Sequence, residues 1–195
     1  MINEREVFIL IYLDNAATTK AFEEVLDTYL KVNQSMYYNP NSPHKAGLQA
    51  DQLLQQAKAQ INGMVNTNMT YDVVFTSGAT ESNNIALKGV AYRKFDTARE
   101  IITSVLEHPS ILEVVRYLEE REGFKVKYVD VTKDGTIDLQ HFNDLMSDKV
   151  GLVTCMYVNN VTGQIQPIPQ MAEVIKNYPK AHFHVDAVQA FGKIS

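Results

Sequence analysis

Four small residues, Ser77-Gly78-Ala79-Thr80, follow a short apolar segment and precede a helical pattern. Such a turn brings free backbone N–H groups and the positive end of a helix dipole together, which suits a phosphate group. A plain helix cap by Ser77 or Thr80, with Glu81 in the first turn, explains the same residues. The segment is not a GxGxxG motif and has no P-loop lysine, so a dinucleotide or NTPase site is not indicated.

Asp186 ends an apolar strand pattern, His182-Phe183-His184-Val185. A carboxylate buried there needs a partner, because an unpaired buried charge is costly. A cationic ring nitrogen would satisfy it, and so would a salt bridge or a helix cap at the following turn. The two alternating histidines share one side of the strand, but without a third ligand they make a poor metal site, so no metal is expected.

Further polar residues also follow strand patterns. His108 stands at a strand-to-helix junction, where a histidine can stack on a planar ligand, transfer a proton or cap the helix. Asn159-Asn160 before Gly163 favours a turn, and its amides could also bind a ligand oxygen or carboxylate. Gln189 is a similar amide candidate. Cys155 lies inside an apolar strand pattern, which favours a packed thiol over a nucleophile.

The elements that must position these residues alternate between helical and strand patterns, which predicts an α/β fold with a mainly parallel sheet and helices on both faces. Because parallel strands end at one rim of the sheet, we expect 77–80, Glu107-His108, Asn159-Asn160 and Asp186 with Gln189 to lie together there. The pattern predicts helices over 21–33, 43–61, 81–93, 109–122, 139–146 and 171–178, with Ser42 and Pro43 starting the second, and strands over 7–13, 72–76, 101–105, 126–131, 150–158 and 182–185.

Composition narrows the class of protein. Among 195 residues, 18 Lys and Arg against 23 Asp and Glu give a net charge of −5, a poor match to nucleic acid. A single cysteine excludes an internal disulfide and fits a reducing compartment, so we expect a cytoplasmic protein. The apolar run Val7–Leu13 is too short to span a bilayer and reads as a buried strand, and no secretion signal is recognised. No membrane partner is expected.

Six stretches, in order and from Ile11 onward, resemble the cysteine desulfurases of the class V aminotransferase family. They are Tyr12-Leu13-Asp14-Asn15-Ala16-Ala17-Thr18-Thr19, Asn39-Pro40-Asn41-Ser42-Pro43-His44, Phe75-Thr76-Ser77-Gly78-Ala79-Thr80-Glu81-Ser82-Asn83-Asn84, Glu107-His108, Val158-Asn159-Asn160 with Gly163 and Gln166-Pro167-Ile168, and His184-Val185-Asp186-Ala187-Val188-Gln189.

The resemblance implies the large domain of a fold-type-I enzyme that uses pyridoxal 5'-phosphate (PLP). It implies that Ser77-Gly78-Ala79-Thr80 holds the phosphate, mainly through its last two residues, and that Asp186 pairs with the protonated ring nitrogen, which keeps the ring an electron sink. It implies that His108 stacks on the ring and acts in catalysis by moving protons. Gln189 is expected to bind the ring hydroxyl, and Asn160 to contact cofactor or substrate nearby.

The implied reaction converts L-cysteine to L-alanine and passes the sulfur to an enzyme cysteine. The resemblance further implies a homodimer that serves iron–sulfur cluster assembly, with a sulfur-acceptor or scaffold protein as a possible partner. Two alternatives stay open: another class V enzyme, such as a selenocysteine lyase or an aminotransferase, and a non-catalytic binding module.

The chain departs from the family pattern in two places. Val161 stands where the family usually has a glutamate. The family's Schiff-base lysine and its catalytic cysteine lie beyond Ser195, and neither Lys193 nor Cys155 matches them. We therefore expect an N-terminal arm with loops and helices over 1–70 and an incomplete cofactor-binding α/β domain over 71–195. We also expect that this chain alone is inactive and that an uncovered sheet edge drives it to dimers or larger species.

Overall fold

The computed structural model describes residues 11–65 and 71–194, which divide into two compact units, Met1–Val74 and Phe75–Ser195. Two helices belong to the first unit, and the second unit carries all the strands of the described residues. The elements in chain order are α1 (Glu23–Ser35), α2 (Lys45–Met64), α3 (Ala79–Lys94), β1 (Glu100–Ser104), α4 (Pro109–Glu122), β2 (Lys125–Val129), α5 (Leu139–Leu145), β3 (Val150–Met156), α6 (Ile168–Ile175) and β4 (His182–Asp186).

The four strands form a sheet in the order β2-β1-β3-β4, and every neighbouring pair is parallel. This confirms the predicted mainly parallel α/β fold. β3 is buried at all its positions, as expected of a central strand covered on both faces.

Side chains that alternate along the strands divide the core into two layers, because successive residues point to opposite faces. α3 and α4 contribute to one layer, and α5 and α6 to the other. The first layer includes Leu87, Ala91, Ile101, Ile111, Val115, Leu118 and Leu152; the second includes Ile102, Phe142, Val150, Val153, Cys155 and Met171. Helices on both faces were also predicted.

Helix α4, which places His108 at its start, has the predicted limits. Pro109 occupies the first helical position, where its fixed φ suits a helix and its missing N–H costs nothing. Gly123 ends the helix with φ 72°, a left-handed conformation that glycine adopts without strain.

The predicted start of α2 is wrong. The helix begins at Lys45, and His44 is its N-cap, accepting a hydrogen bond at Nδ1 from the Gly47 amide at 3.1 Å. The carbonyl oxygen of Ser42 instead packs against Gly47, where a Cβ would lie 2.3 Å from it. The loop therefore runs two residues further than the Ser-Pro pair indicates.

One predicted strand, 72–76, is not formed, and the described part of a second predicted strand, residues 11–13, is not a strand. Residues 72–76 are not assigned to a strand, and Val74 and Phe75 are 67% and 53% exposed. Of the predicted strand 7–13, residues 7–10 lie outside the described residues, and Ile11, Tyr12 and Leu13 are exposed and irregular. An apolar run becomes a strand only where a neighbouring backbone pairs with it, and no described strand does so here.

The described helices include none with the length and apolar character required to cross a bilayer.

A close approach between Gly151 in β3 and Ala98 gives a test of this packing. A Cβ at Gly151 would lie 2.4 Å from the Ala98 carbonyl oxygen and 3.2 Å from the Lys94 Cβ. We therefore expect Gly151→Ala to lower the free energy of unfolding by about 2 kcal/mol or more. Gly89→Ala is the matched control, because nothing lies within 4 Å of its Cβ position in α3. It should raise stability by up to about 1 kcal/mol.

The free energy of unfolding of each variant is measured by urea unfolding, from the midpoint and the slope of the transition. Equal stability of Gly151→Ala and the unsubstituted chain would contradict the described packing.

Candidate functional site at the carboxyl ends of the strands

Asp186, the last residue of β4, is a buried carboxylate whose partners among the described residues are all neutral. The side chain is 8% exposed. Its Oδ2 accepts a hydrogen bond from Asn83 Nδ2 at 3.0 Å, and its Oδ1 accepts one from the Val188 amide at 3.1 Å. No lysine, arginine or histidine nitrogen of the described residues lies within 4.0 Å of it. The Val188 contact closes a turn and does not cap a helix, because the described residues after β4 form no helix. Neither the helix cap nor the salt bridge is present in the described part of the chain, and acceptor positions remain on both oxygens.

His108 is the N-cap of α4, and its exposed ring borders a cleft. Its Nδ1 accepts a hydrogen bond from the Ser110 amide at 3.1 Å and lies 2.8 Å from Ser110 Oγ. Ser110 Oγ in turn accepts from Asn83 Nδ2 at 3.0 Å. His108 and Asp186 are therefore joined through two side chains, Ser110 and Asn83, which share hydrogen bonds at the end of the sheet.

The turn before α3 differs from the predicted cap. Gly78, not Ser77 or Thr80, is the N-cap residue. The Ser77 amide and hydroxyl both donate to Glu81 Oε2, at 2.6 and 2.7 Å, and these bonds lower the pKa of Glu81. Ala79 and Thr80 open the helix, and the first amides of a helix have no intrahelical partners.

Glu107 is a second buried carboxyl group at this rim. It is 4% exposed, and Oε1 accepts from the Met156 amide and from Ser104 Oγ, both at 3.0 Å. Oε2 has no hydrogen-bond partner within the described part of the chain. Burial, with a smaller effect from the negative charge of Asp186, outweighs those two hydrogen bonds and raises the pKa of Glu107 to about 7.

The paired asparagines have different surroundings. Asn159 is buried, and its Oδ1 accepts from the amides of Val161 and Thr162 at 2.9 and 2.8 Å, while Nδ2 donates to the Leu106 carbonyl at 3.2 Å. This confirms the predicted turn. Asn160 beside it is only half-buried. Gln189 is also half-buried, and its Oε1 accepts a hydrogen bond from Lys193 Nζ at 2.8 Å.

The remaining candidates are structural in character. Cys155 is 1% exposed and donates to the Met156 carbonyl at 3.3 Å; burial raises the pKa of its thiol, as a packed cysteine requires. His184 Nδ1 lies 2.9 Å from Thr154 Oγ1 on the neighbouring strand, and burial lowers the pKa of this histidine. The described residues include no group of three or more His, Cys, Asp or Glu side chains that could hold a metal ion.

A cleft of about 480 Å³ opens between α3 and α4. Thr80 and His108 both border it, which brings the start of α3 to the same cleft as the histidine. Its other lining residues are Asn84, Lys88, Pro109, Ser110, Glu113, Val114 and Tyr117.

Sequence reasoning assigned no role to Asn83 or Ser110, although both join the predicted residues. A signal for Asn83 was present. It shares one helical stripe with Leu87 and Ala91, at spacings of four residues, and all three are buried. An amide on a buried apolar stripe needs a polar partner.

The buried acid gives a pH test. The folded pKa of Glu107, about 7, lies above the ordinary carboxyl value of 4.5, so the folded chain binds an extra proton between them. The resulting stability is complete below about pH 4.5 and is lost as the pH rises through about 7. Glu107→Gln keeps the size and shape of the side chain and removes the titrating proton. Relative to this variant, we expect the unsubstituted chain to lose on the order of 2 to 3 kcal/mol between about pH 5 and pH 8.

The measurement is urea unfolding of both proteins across this pH range. His184 titrates in both, so its contribution cancels in the difference. Parallel pH profiles for the two proteins would show that Glu107 does not carry the raised pKa.

Relatives of known sequence carry NifS, IscS or cysteine desulfurase names. The NifS/IcsS protein homolog of Lactobacillus delbrueckii subsp. bulgaricus is 42% identical over 184 residues, covering 94% of this chain and 47% of that protein. The mitochondrial cysteine desulfurase of Saccharomyces cerevisiae is 42% identical over 185 residues, covering 94% of this chain and 37% of the relative. The chain thus spans less than half the length of these curated relatives.

Solved structures agree with this result. A NifS-like protein superposes with a TM-score of 0.91 at 37% identity, covering 95% of this chain and 51% of the other. A structure described as SspA in complex with cysteine gives a TM-score of 0.86 at 33% identity, with 93% and 52% covered. The sequence profile described as Aminotransferase class-V matches residues 11–195. The chain belongs to the class V aminotransferase family.

Proposed function

We propose that the protein is a PLP-dependent cysteine desulfurase and that this chain supplies the residues that bind the cofactor ring and phosphate. The observation that carries the proposal is the buried Asp186 carboxylate. It lies at the ligand-binding rim of a parallel sheet and has no cationic partner among the described residues.

The residues present fit a pyridinium ring. Each Asp186 oxygen accepts one hydrogen bond, so an acceptor position remains for a ring N–H. The bond would be charge-assisted, and low local polarity strengthens it. The flat His108 ring is exposed to the cleft and linked to Asp186 through Ser110 and Asn83, which supports a role in covering one face of the cofactor.

The start of α3 fits the phosphate. The unpaired first-turn amides of Ala79 and Thr80, at the positive end of the helix dipole, suit an anion. Ser77 is less available, because its amide and hydroxyl are both bonded to the Glu81 carboxylate. Of the four predicted residues, Ala79 and Thr80 therefore carry the proposed contact, and Ser77 contributes only if Glu81 moves away.

PLP, when bound, supplies an electron sink for the pair released at the substrate α-carbon. Asp186 favours the protonated ring nitrogen and so maintains that property. We assign Asn160 and Gln189 to the neighbourhood of the ring oxygen, in line with the family pattern. Cys155 is not the sulfur acceptor in this proposal, because its thiol is buried and its raised pKa leaves little thiolate.

L-cysteine is the proposed substrate. Relatives named cysteine desulfurase and a structural neighbour described in complex with cysteine support it. In line with the same resemblance, we propose a homodimeric cytoplasmic protein that passes sulfur to an acceptor or scaffold protein in iron–sulfur cluster assembly.

A chimera tests the activity. Residues 11–194 are joined to the part of the Lactobacillus delbrueckii relative that lies beyond the matched region, and alanine release from L-cysteine is measured with PLP present. We expect turnover that Asp186→Ala lowers by about 100-fold or more, since a buried charged partner is removed. Asn143→Ala, an exposed substitution on α5, should leave the rate unchanged.

PLP binding is measured first, because it reports that the chimera is folded. A chimera that binds PLP and releases no alanine from L-cysteine, under conditions where the unmodified relative does, would contradict the proposed substrate.

A further inference from the structure

One buried amide group connects two residues of the candidate site. Asn83, on α3, is 4% exposed. Its Nδ2 donates to Asp186 Oδ2 and to Ser110 Oγ, both at 3.0 Å. An ionised carboxylate can only accept hydrogen bonds, so the amide nitrogen, and not the amide oxygen, must face Asp186. Both hydrogens of the Asn83 amide are thereby committed.

Ser110 continues the chain of hydrogen bonds, with a defined donor at each step, to His108. The Ser110 amide N–H donates to His108 Nδ1, and an N–H group cannot accept, so Nδ1 carries a lone pair and no proton. Ser110 Oγ already accepts from Asn83, which leaves its own hydrogen for the same Nδ1, 2.8 Å away. Neutral His108 must then carry its proton on Nε2.

We propose that Asn83 and Ser110 are positioning residues that prepare the two proposed ring contacts together. Asn83 fixes the orientation of the Asp186 carboxylate, and Ser110 fixes His108 as a neutral imidazole that donates from Nε2. This inference rests on the proposed function, because the two residues are prepared for a protonated aromatic ring.

The hydrogen bonds from Ser110 to His108 Nδ1 affect the charge next to the proposed ring. Protonation of His108 at Nδ1 would require both Ser110 donors to turn away. A neutral imidazole next to a pyridinium ring avoids repulsion between like charges, and Asp186 remains the only charged contact for that ring in the proposal. His108 Nδ1 is thus unavailable as a base, and any proton that His108 exchanges must pass through Nε2.

The tautomer of His108 is the direct test and requires no cofactor. Two-bond ¹H–¹⁵N correlation spectra are recorded on the chain with ¹⁵N-labelled histidine, and His108→Gln assigns the signal. We expect the Nε2–H pattern in the unsubstituted chain. Ser110→Ala loses the hydroxyl donor and keeps the amide donor, so the Nδ1–H form should appear as a minor population; Ser110→Pro, in the first turn of α4 where proline is tolerated, loses both donors and should give a full mixture of tautomers. Ser110→Thr, which retains the hydroxyl, should restore the single pattern. Asn83→Ala should shift towards the mixture, and Asn143→Ala should not.

An Nδ1–H pattern in the unsubstituted chain would overturn the inference, and so would a single Nε2–H pattern retained in Ser110→Pro, which has neither donor. The Ser110 variants give an answer even if Asn83→Ala does not fold.

PLP titration then separates this inference from the proposed function. We expect Asn83→Ala to raise the Kd for PLP by about tenfold, the order expected for a lost hydrogen bond to a charged group. Equal Kd values for Asn83→Ala and Asn143→Ala would overturn the positioning role at Asp186. Failure of the unsubstituted chain to bind PLP would instead overturn the proposed function, while the histidine spectra would still decide the network.

Discussion

The buried Asp186 carboxylate is the group on which the rest of the site depends. This residue is 8% exposed, and its hydrogen-bond partners in the described part of the chain are neutral, so its charge is costly unless a cation pairs with it. Its position follows from the sheet, because β4 ends at Asp186 beside the end of β3, where the Tyr157 amide donates to the Asp186 carbonyl at 2.9 Å. The parallel topology thus sets the position at the rim, and the aspartate at residue 186 supplies the charge there.

The same rim controls charge by burial. Burial raises the pKa of Glu107, and the negative charge of Asp186 raises it further, to about 7. Near neutral pH the Glu107 carboxyl group is therefore partly protonated. The rim therefore holds Glu107, which can be neutral near pH 7, and Asp186, which has acceptor positions for a cationic partner. A buried carboxyl group with a strongly raised pKa is a common feature of functional sites.

Much of the sheet could be predicted from local patterns, while the contacts within the site could not. The apolar run 150–158 and the Pro109 helix start are signals within a few residues, and the structure follows both closely. The strand expected at 72–76 did not form, because a strand requires a second strand, often far away in the sequence, to pair with it. Asn83 was missed for a similar reason, since its partners Ser110 and Asp186 stand 27 and 103 residues away in the sequence. The rim itself was predictable, because parallel topology alone brings strand ends together.

The most direct test of the central claim compares PLP with an analogue in which carbon replaces the ring nitrogen. Both ligands are titrated against the unsubstituted chain and against Asp186→Ala. If Asp186 pairs with the ring nitrogen, the unsubstituted chain will bind PLP about tenfold or more tightly than the analogue, and Asp186→Ala will abolish that difference. Equal affinity of the unsubstituted chain for the two ligands would contradict the assignment of Asp186 as the partner of a cationic ring.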